Sequence, residues 1–327
     1  MTSPPFPLTL LPRAARDVLT TAVSNLAAQD FLSIAFHSYM LARAFAAPNS
    51  MEASLARVWA ATLFSVSTTA IVLARGEVLP KGKLRSFVYR VGIFTPMVLS
   101  YFELRYLLPG LQPHLLDDQL HALDRAIFGI TPALWLNRFN QLPRVEWISF
   151  FYYSYFYLMG LMLIPSLLFD GGRRLHELMV GALIVCGGGH FIYTLVPGAG
   201  PYASMQFPEP LHGGFWWHQV QVTVANAGAQ LDIFPSLHTA YPTFFSLFAF
   251  GNRHEKPYKY VWPIVAFFTV NMVTATMFLR WHWGVDVIAG LTLATVARIS
   301  GIVVSRAEAS RGTGEDERQI VWEPLVR

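Results

Sequence analysis

The sequence predicts an all-α fold, a polytopic membrane helix bundle with about eight spans and a six-helix core. Of the 327 residues, 54% are hydrophobic and only 13% are charged, whereas about a quarter of the residues in an ordinary soluble domain are charged. The sequence also contains several separate apolar stretches of roughly 20 residues, the length that a helix needs to cross a bilayer. We therefore expect lipid to surround most of this chain.

The apolar runs predict spans at 31–47, 53–74, 86–108, 147–169, 176–196, 236–252, 260–279 and 284–305. The run between Glu146 and Asp170 contains no charged residue, as expected of a helix that faces lipid. The first run is short and contains His37 and Arg43. For that run, a crossing and a position along the interface are both open.

Lysine and arginine recur in every second loop, which indicates the cytoplasmic side of the membrane. These basic loops contain Arg75, Lys81, Lys83 and Arg85, then Arg173 and Arg174, then Arg253, Lys256 and Lys259. The loop from Pro197 to Asp232 contains neither residue type, so we expect it on the extracytoplasmic face. Both termini are then cytoplasmic, and the expected location is the inner or plasma membrane of the cell.

The pattern divides the chain into an N-terminal segment with a weak first span at 1–50, a membrane domain at 51–306 with its core at about 86–305, and a polar cytoplasmic tail at 307–327. The polar connector 106–146 should lie outside and contain interfacial or re-entrant helices. Residues 1–29 lack the apolar block and cleavage site of a signal peptide, so we expect no processing.

The charge distribution argues against a nucleic-acid partner, and the cysteine content excludes an intramolecular disulfide. The net charge of +4 comes from basic residues in short loops between apolar runs, which is a topology signal and indicates no nucleic-acid partner. The single cysteine, Cys186, allows no intramolecular disulfide. The sequence indicates no particular protein partner.

The first segment suited to chemistry is 234–239, which reads FPSLHT. Pro235 fits the first turn of a helix, so Ser236, Leu237 and His238 should present free backbone N–H groups there. A helix end of this kind binds phosphate oxygens. An unperturbed imidazole titrates near neutral pH, which suits His238 to protonate a leaving oxygen.

The second segment is 280–286, which reads RWHWGVD. His282 and Asp286 are four residues apart and would share one face of a helix that begins near Trp281. The carboxylate could then orient the imidazole, and an imidazole held in this way is an activated nucleophile towards phosphorus.

These motifs resemble those of the type 2 phosphatidic acid phosphatase superfamily, whose pattern is K-x6-R-P, then P-S-x-H, then S-R-x5-H-x3-D. The second motif is intact as Pro235, Ser236 and His238, and the third keeps its ending as His282 and Asp286. The resemblance implies that His282 is the nucleophile, Asp286 its partner, His238 the acid and Ser236 a phosphate ligand.

The first motif is preserved only as a Gly/Pro-rich stretch at 198–202, without its two cations. This stretch resembles the membrane enzymes related to fungal inositol phosphorylceramide synthase, and Gly200, Pro201 and Tyr202 become candidate substrate-binding residues. The resemblance, which covers the predicted core, implies a membrane lipid substrate, either a phospholipid or a lipid phosphate. It also implies a lipid or polyol acceptor if the reaction is a transfer, and no cofactor.

The missing cations leave the charge of a transferred phosphoryl group without obvious stabilisation. No Lys or Arg occurs between Arg174 and Arg253. Arg280 is close to His282 in sequence and at the expected face, so it is the candidate phosphate contact. His190 is a further candidate, although an intramembrane histidine more often serves packing.

We therefore predict a metal-independent phosphatase or phosphotransferase that acts on lipid phosphate esters through a phosphohistidine. Two alternatives stay open. Two histidines and an aspartate could hold zinc with an open position, in which case activity would follow zinc loading. Polar residues within spans could instead line a transport pathway, in which case solute movement would survive His282→Ala.

Overall fold

The computed structural model describes residues 12–111, 114–311, 322 and 324–326. Within those residues the secondary structure is helical, apart from an isolated parallel bridge between Gly198 and Asp232. The predicted all-α fold is confirmed.

The helices are α1 Arg13–Ser24, α2 Ala28–Ala46, α3 Met51–Arg75, α4 Lys83–Leu111, α5 Asp117–Phe128, α6 Pro132–Leu136, α7 Leu142–Tyr153, α8 Tyr155–Phe169, α9 Gly172–Tyr193, α10 Pro201–Ser204, α11 Phe215–Ala227, α12 Leu237–Gly251, α13 Tyr258–Phe278 and α14 Gly284–Arg311. Each of the eight predicted spans coincides with one of these helices or, for 147–169, with the consecutive pair α7 and α8. The long apolar runs were therefore sufficient to locate the bundle.

In the part of the chain that the structure describes, five helical segments are long and apolar enough to cross a membrane: Met51–Arg75, Leu142–Phe169, Gly172–Tyr193, Tyr258–Phe278 and Gly284–Ser310. They identify the chain as a polytopic membrane protein. The other three predicted spans are the helices α2, α4 and α12. Helix α12 has only 15 residues, and charged side chains interrupt the apolar character of α2 and α4.

The polar residues of α2 face the inside of the bundle. Asp30 is fully buried and forms an ion pair with Arg75 of α3, with 2.7 Å between Nε and Oδ2. The hydroxyl of Tyr89 on α4 also donates to Asp30. His37 is 1% exposed. Because these groups are shielded from lipid and the ion pair is internal, α2 can pack as part of the bundle in spite of its charge.

Two parts of the chain differ from the expected boundaries. Helix α1 was not predicted, because its apolar residues are too few to form a run. Helix α14 continues to Arg311, beyond the predicted start of the tail at 307. Most of that tail lies outside the described residues, but Trp322 is buried and packs edge-on against Tyr89 at 4.9 Å.

The N-terminal ends of α12 and α14 meet at one end of the bundle. The backbone N–H of Ser236 donates to the carbonyl oxygen of Asp286 at 3.0 Å. A Cβ at Gly290 would lie 2.5 Å from the carbonyl oxygen of Ser236, so only glycine permits this approach. The contact brings the two histidine-containing segments together.

Candidate active site

The structure places the three predicted catalytic residues in one cluster. His238 lies in the first turn of α12, His282 in the loop between α13 and α14, and Asp286 in the first turn of α14. The centroids of the two imidazole rings are 6.4 Å apart, with their planes inclined at 46°. The rings are close enough to contact the same small group from two sides.

The hydrogen bonds of His282 define which ring nitrogen is free. Nδ1 lies 2.9 Å from the carbonyl oxygen of Ile233 and 3.4 Å from Oδ2 of Asp286. A carbonyl only accepts, so Nδ1 carries the hydrogen and Nε2 keeps its lone pair. The sequence predicted that Asp286 orients the imidazole, but the carbonyl of Ile233 makes the shorter contact.

Asp286 also caps the start of α14. Its Oδ2 accepts the backbone N–H of Trp283 at 2.8 Å, which is half of a capping box. Helix α14 begins at Gly284, so His282 precedes the helix and does not share a helical face with Asp286 as predicted. The capped turn brings the two side chains together instead.

Burial controls the protonation of His282. The residue is 4% exposed, and burial lowers its pKa to about 4, while the carboxylate of Asp232 opposes this shift. Desolvation disfavours the charged imidazolium. At neutral pH the ring is therefore neutral, which is the form that can act as a nucleophile.

His238 is held between two tyrosine rings. Its ring stacks on Tyr152 at 4.3 Å with an interplanar angle of 4°, and on Tyr155 at 4.0 Å with an angle of 28°. Its Nδ1 has no hydrogen-bond partner among the described residues. The stacking fixes the plane of the ring without occupying its nitrogens, so at least Nδ1 is free for a ligand.

One of the three N–H groups that the sequence assigned to a phosphate cradle at the start of α12 is bonded within the protein. Pro235 precedes the helix, and Ser236 occupies the N-cap position. The N–H of Ser236 donates to the carbonyl oxygen of Asp286 at 3.0 Å. This N–H group therefore serves the fold, whereas the hydroxyl of Ser236 is buried and has no hydrogen-bond partner among the described residues.

The Gly/Pro-rich stretch supports the loop that contains His282. Gly200 has φ +80°, and a Cβ there would lie 2.2 Å from the carbonyl oxygen of Trp281, so this position requires glycine. Pro201 begins α10, and the N–H of Tyr202 donates to the carbonyl of Arg280 at 2.6 Å. The ring of Tyr202 lies 4.6 Å from that of Trp281.

The side chains of the remaining two predicted residues are bonded to other parts of the chain. Nη2 of Arg280 donates to Oδ1 of Asn137 at 2.6 Å and to the carbonyl of Glu209 at 3.0 Å. Its guanidinium lies 4.0 Å from the ring centroid of Phe207. These contacts hold the connector against the site. His190 pairs through Nδ1 with the hydroxyl of Ser100 at 3.1 Å, deep among the helices.

Two carboxylates that the sequence did not single out position the loops of the site. Asp124 accepts the N–H groups of Gly284 and Val285 at 3.0 and 2.8 Å, which caps α14. Asp117 accepts the N–H groups of Ala199 and Gly200, both at 2.8 Å. Sequence alone could show only that both lie in the polar connector.

Replacing Asp124 with alanine should destabilise the protein. Loss of a helix cap typically costs about 1 kcal/mol, and in a chain of this size we expect the Tm in detergent to fall by roughly 2–4 °C. The matched control is Asp118→Ala, because Asp118 is exposed on the same helix. Asp124→Asn should recover part of the loss, since an amide oxygen still accepts. Equal Tm values for Asp124→Ala and Asp118→Ala would contradict the capping role.

Two cavities meet at the imidazole pair. The more polar of the two, named the polar cavity, has a volume of about 490 Å³ and is lined by both imidazoles and by Asp232, Tyr202 and Trp281 among other residues. An apolar cavity of about 460 Å³ lies between α4 and α8. His238, Asp232 and Tyr101 line both cavities, whereas His282 lines only the polar one.

The apolar cavity extends along the helices. Residues from Tyr155 to Leu167 of α8 line it, a stretch of roughly 18 Å at the helical rise per residue. His190 and Leu237, two of the predicted site residues, also line this cavity. Among the described residues, no group of three or more His, Cys, Asp or Glu side chains is arranged to hold a metal ion.

These features define a polytopic helical membrane protein with a pair of histidines, one buried and one half-buried, where a polar and an apolar cavity meet. A model of the PAP2 superfamily matches residues 118–299, more than half of the chain, and the chain belongs to this superfamily. Membership supports a phosphatase-type lipid phosphoesterase. The match does not identify a branch within the superfamily, so the similarity to inositol phosphorylceramide synthase stays a prediction. Comparisons with curated proteins and with solved structures gave no match.

Proposed function

We propose that this protein cleaves lipid phosphate esters through a phosphohistidine on His282, with the active site on the extracytoplasmic face of the plasma membrane. The observation that carries the proposal is the position of the imidazole pair, at the junction of a polar and an apolar cavity. An amphiphilic substrate can place its chain in the apolar cavity and its phosphate beside His282.

In the first step, Nε2 of His282 attacks phosphorus and the phosphorus–oxygen bond to the lipid breaks. His238 supplies the proton to the departing oxygen. Because the attacking and leaving atoms are roughly in line in phosphoryl transfer, a nucleophile in the polar cavity directs the leaving group towards the apolar one. His238 lines both cavities, which suits it to protonate an oxygen that departs with the lipid.

In the second step, an acceptor hydroxyl attacks the phosphohistidine while His238 takes its proton. The acceptor is water in a lipid phosphatase and an alcohol in a phosphotransferase. The resemblance to inositol phosphorylceramide synthase favours a transfer, and membership of the superfamily favours hydrolysis. The two imidazoles supply nucleophile, acid and base, so the proposed reaction requires no metal.

Product analysis with purified protein tests this proposal. Phospholipid labelled at phosphorus is supplied in mixed micelles, with and without ceramide, diacylglycerol and inositol, and with excess chelator. We expect labelled phosphate, a labelled phosphorylated headgroup or a labelled acceptor, and the same rate with chelator. Turnover that disappears with chelator and returns with zinc would favour the zinc alternative. Release of label that persists in His282→Ala would contradict the proposal.

The buried state of His282 predicts the acid side of the pH profile. The nucleophile is lost when the imidazole gains a proton, so kcat/KM should fall as the pH drops through about 4. An unperturbed histidine would produce this fall near 6.5. The measurement uses a nitrophenyl phosphodiester, because its phosphate does not titrate in this range and its leaving group needs no proton. A fall centred near pH 6.5 would show that the imidazole is not desolvated.

A further inference from the structure

Asp232 places a carboxylate in the wall of the proposed reaction site. It lines both cavities, as does Tyr101. It also interacts electrostatically with the imidazole of His282. A Cβ at Gly228 would lie 2.5 Å from the hydroxyl oxygen of Tyr101 and 3.3 Å from Oδ1 of Asp232, so a glycine leaves room for this pair.

The carboxylate of Asp232 is negative, whereas a bound phosphate needs positive charge beside it. Among the described residues, no lysine or arginine lines either cavity. The nearby Arg280 is held by Asn137 and by the carbonyl of Glu209. A phosphomonoester with two negative charges would therefore meet a carboxylate and no protein cation, an unfavourable arrangement at low dielectric.

The rest of the polar cavity favours a cationic group. The rings of Tyr101, Tyr152, Tyr202 and Trp281 line it together with the carboxylate. Aromatic faces attract ammonium ions, and clusters of aromatic rings bind quaternary ammonium ligands. The carboxylate of Asp232 offers the opposite charge within the same wall.

We propose that the polar cavity binds the ammonium headgroup of a zwitterionic phosphodiester lipid, with the ammonium on Asp232. The substrate then brings the cation that the protein lacks, because its ammonium lies one short alkyl link from its phosphate. This inference rests on the proposed function, since it assigns a substrate class to the same site.

The orientation also defines the bonds that change. Nε2 of His282 forms a bond to phosphorus, the phosphorus–oxygen bond to the diacylglycerol breaks, and His238 gives its proton to that oxygen. The aminoalcohol ester stays on the phosphohistidine. An acceptor hydroxyl then displaces the imidazole and gives its proton to His238, which releases a phosphorylated aminoalcohol or its ester with the acceptor.

The experiment compares lipids with identical acyl chains in mixed micelles: phosphatidylethanolamine and phosphatidylcholine, phosphatidic acid, and the polyol lipid phosphatidylinositol. We expect kcat/KM of the unaltered protein to be at least tenfold higher for the two zwitterionic lipids than for phosphatidic acid or phosphatidylinositol. In Asp232→Asn the ratio of activity on the zwitterionic lipids to activity on phosphatidic acid should fall at least tenfold, because only the zwitterionic lipids lose a partner for their ammonium. Asp232→Glu, which keeps the charge, should retain part of the preference.

The control variant is Asp118→Asn, which removes an exposed carboxylate outside both cavities and should leave the ratio unchanged. Higher activity of the unaltered protein on phosphatidic acid or on phosphatidylinositol would overturn the inference, and this comparison needs no variant to fold. An unchanged ratio in folded Asp232→Asn would also overturn it. In both cases turnover that still depends on His282 would leave the proposed function standing, whereas turnover that survives His282→Ala would remove the proposed function itself.

Discussion

Replacing His282 with alanine is expected to lower kcat/KM for a lipid phosphate ester by at least about a thousandfold, because the covalent route loses its nucleophile. The ring is buried and its Nδ1 is bonded to the carbonyl of Ile233, so Nε2 is the nitrogen that is left to attack phosphorus. Initial rates with labelled phospholipid measure this effect.

The control for this variant is His254→Ala, because His254 is exposed in the loop between α12 and α13 and lines neither cavity. The elution volume and Tm of both variants should match those of the unaltered protein, which separates lost chemistry from lost folding. A His282→Ala protein that is folded and turns over within tenfold of the unaltered rate would contradict its role as nucleophile.

Replacing His238 with alanine should produce an effect that depends on the leaving group. Loss of a general acid costs about 10²–10⁴-fold in rate, so we expect a loss in this range for phospholipids, whose alkoxide needs a proton to depart. A nitrophenolate departs without a proton, so the first step with a nitrophenyl phosphate should slow by less than about tenfold. Rapid-mixing absorbance measurements follow nitrophenolate release.

The comparison between the two substrates serves as the internal control for His238→Ala, because misfolding would lower both rates together. Stacking of His238 between Tyr152 and Tyr155 also predicts that removing the ring leaves a gap. His238→Gln fills part of that gap and should show the same difference between substrates. Equal losses on both substrates in both variants would argue against an acid role.

The bundle could be predicted from the sequence because lipid exposure imposes one simple rule. A helix that faces lipid must be apolar for roughly 20 residues, and runs such as 147–169 and 260–279 satisfy that rule without help from the rest of the chain. Helix α1 and the short helices of the connectors follow no such rule. They are held by contacts between parts of the chain that are far apart in sequence.

The same distinction applies to the active site, where some residues could be predicted from the sequence and others could not. His238, His282 and Asp286 could be found because their spacing within short motifs can be read from the sequence. The carbonyl of Ile233 and the carboxylate of Asp232 could not, because their proximity to His282 results from the packing of α12 against α14. Such contacts depend on how the two segments meet in space.

Arg280 shows why proximity in sequence is a weak guide to a ligand. It lies two residues before His282, but its backbone has φ +67° and its side chain points to Asn137. The sequence interpretation assumed that a cation must balance the phosphate. The two cavities have no lysine or arginine among their described lining residues, so a substrate that carries its own cation suits them better.

Direct detection of the phosphohistidine is the decisive measurement. His238→Ala should form the phosphohistidine from a nitrophenyl phosphate and, without a base for the second step, accumulate it. After an alkaline quench, which preserves the acid-labile phosphorus–nitrogen bond, mass spectrometry should find a phosphoryl group on His282. The double variant that carries both His238→Ala and His282→Ala should show no phosphorylated histidine. Nitrophenolate release without an adduct, or an adduct on another residue, would contradict the account.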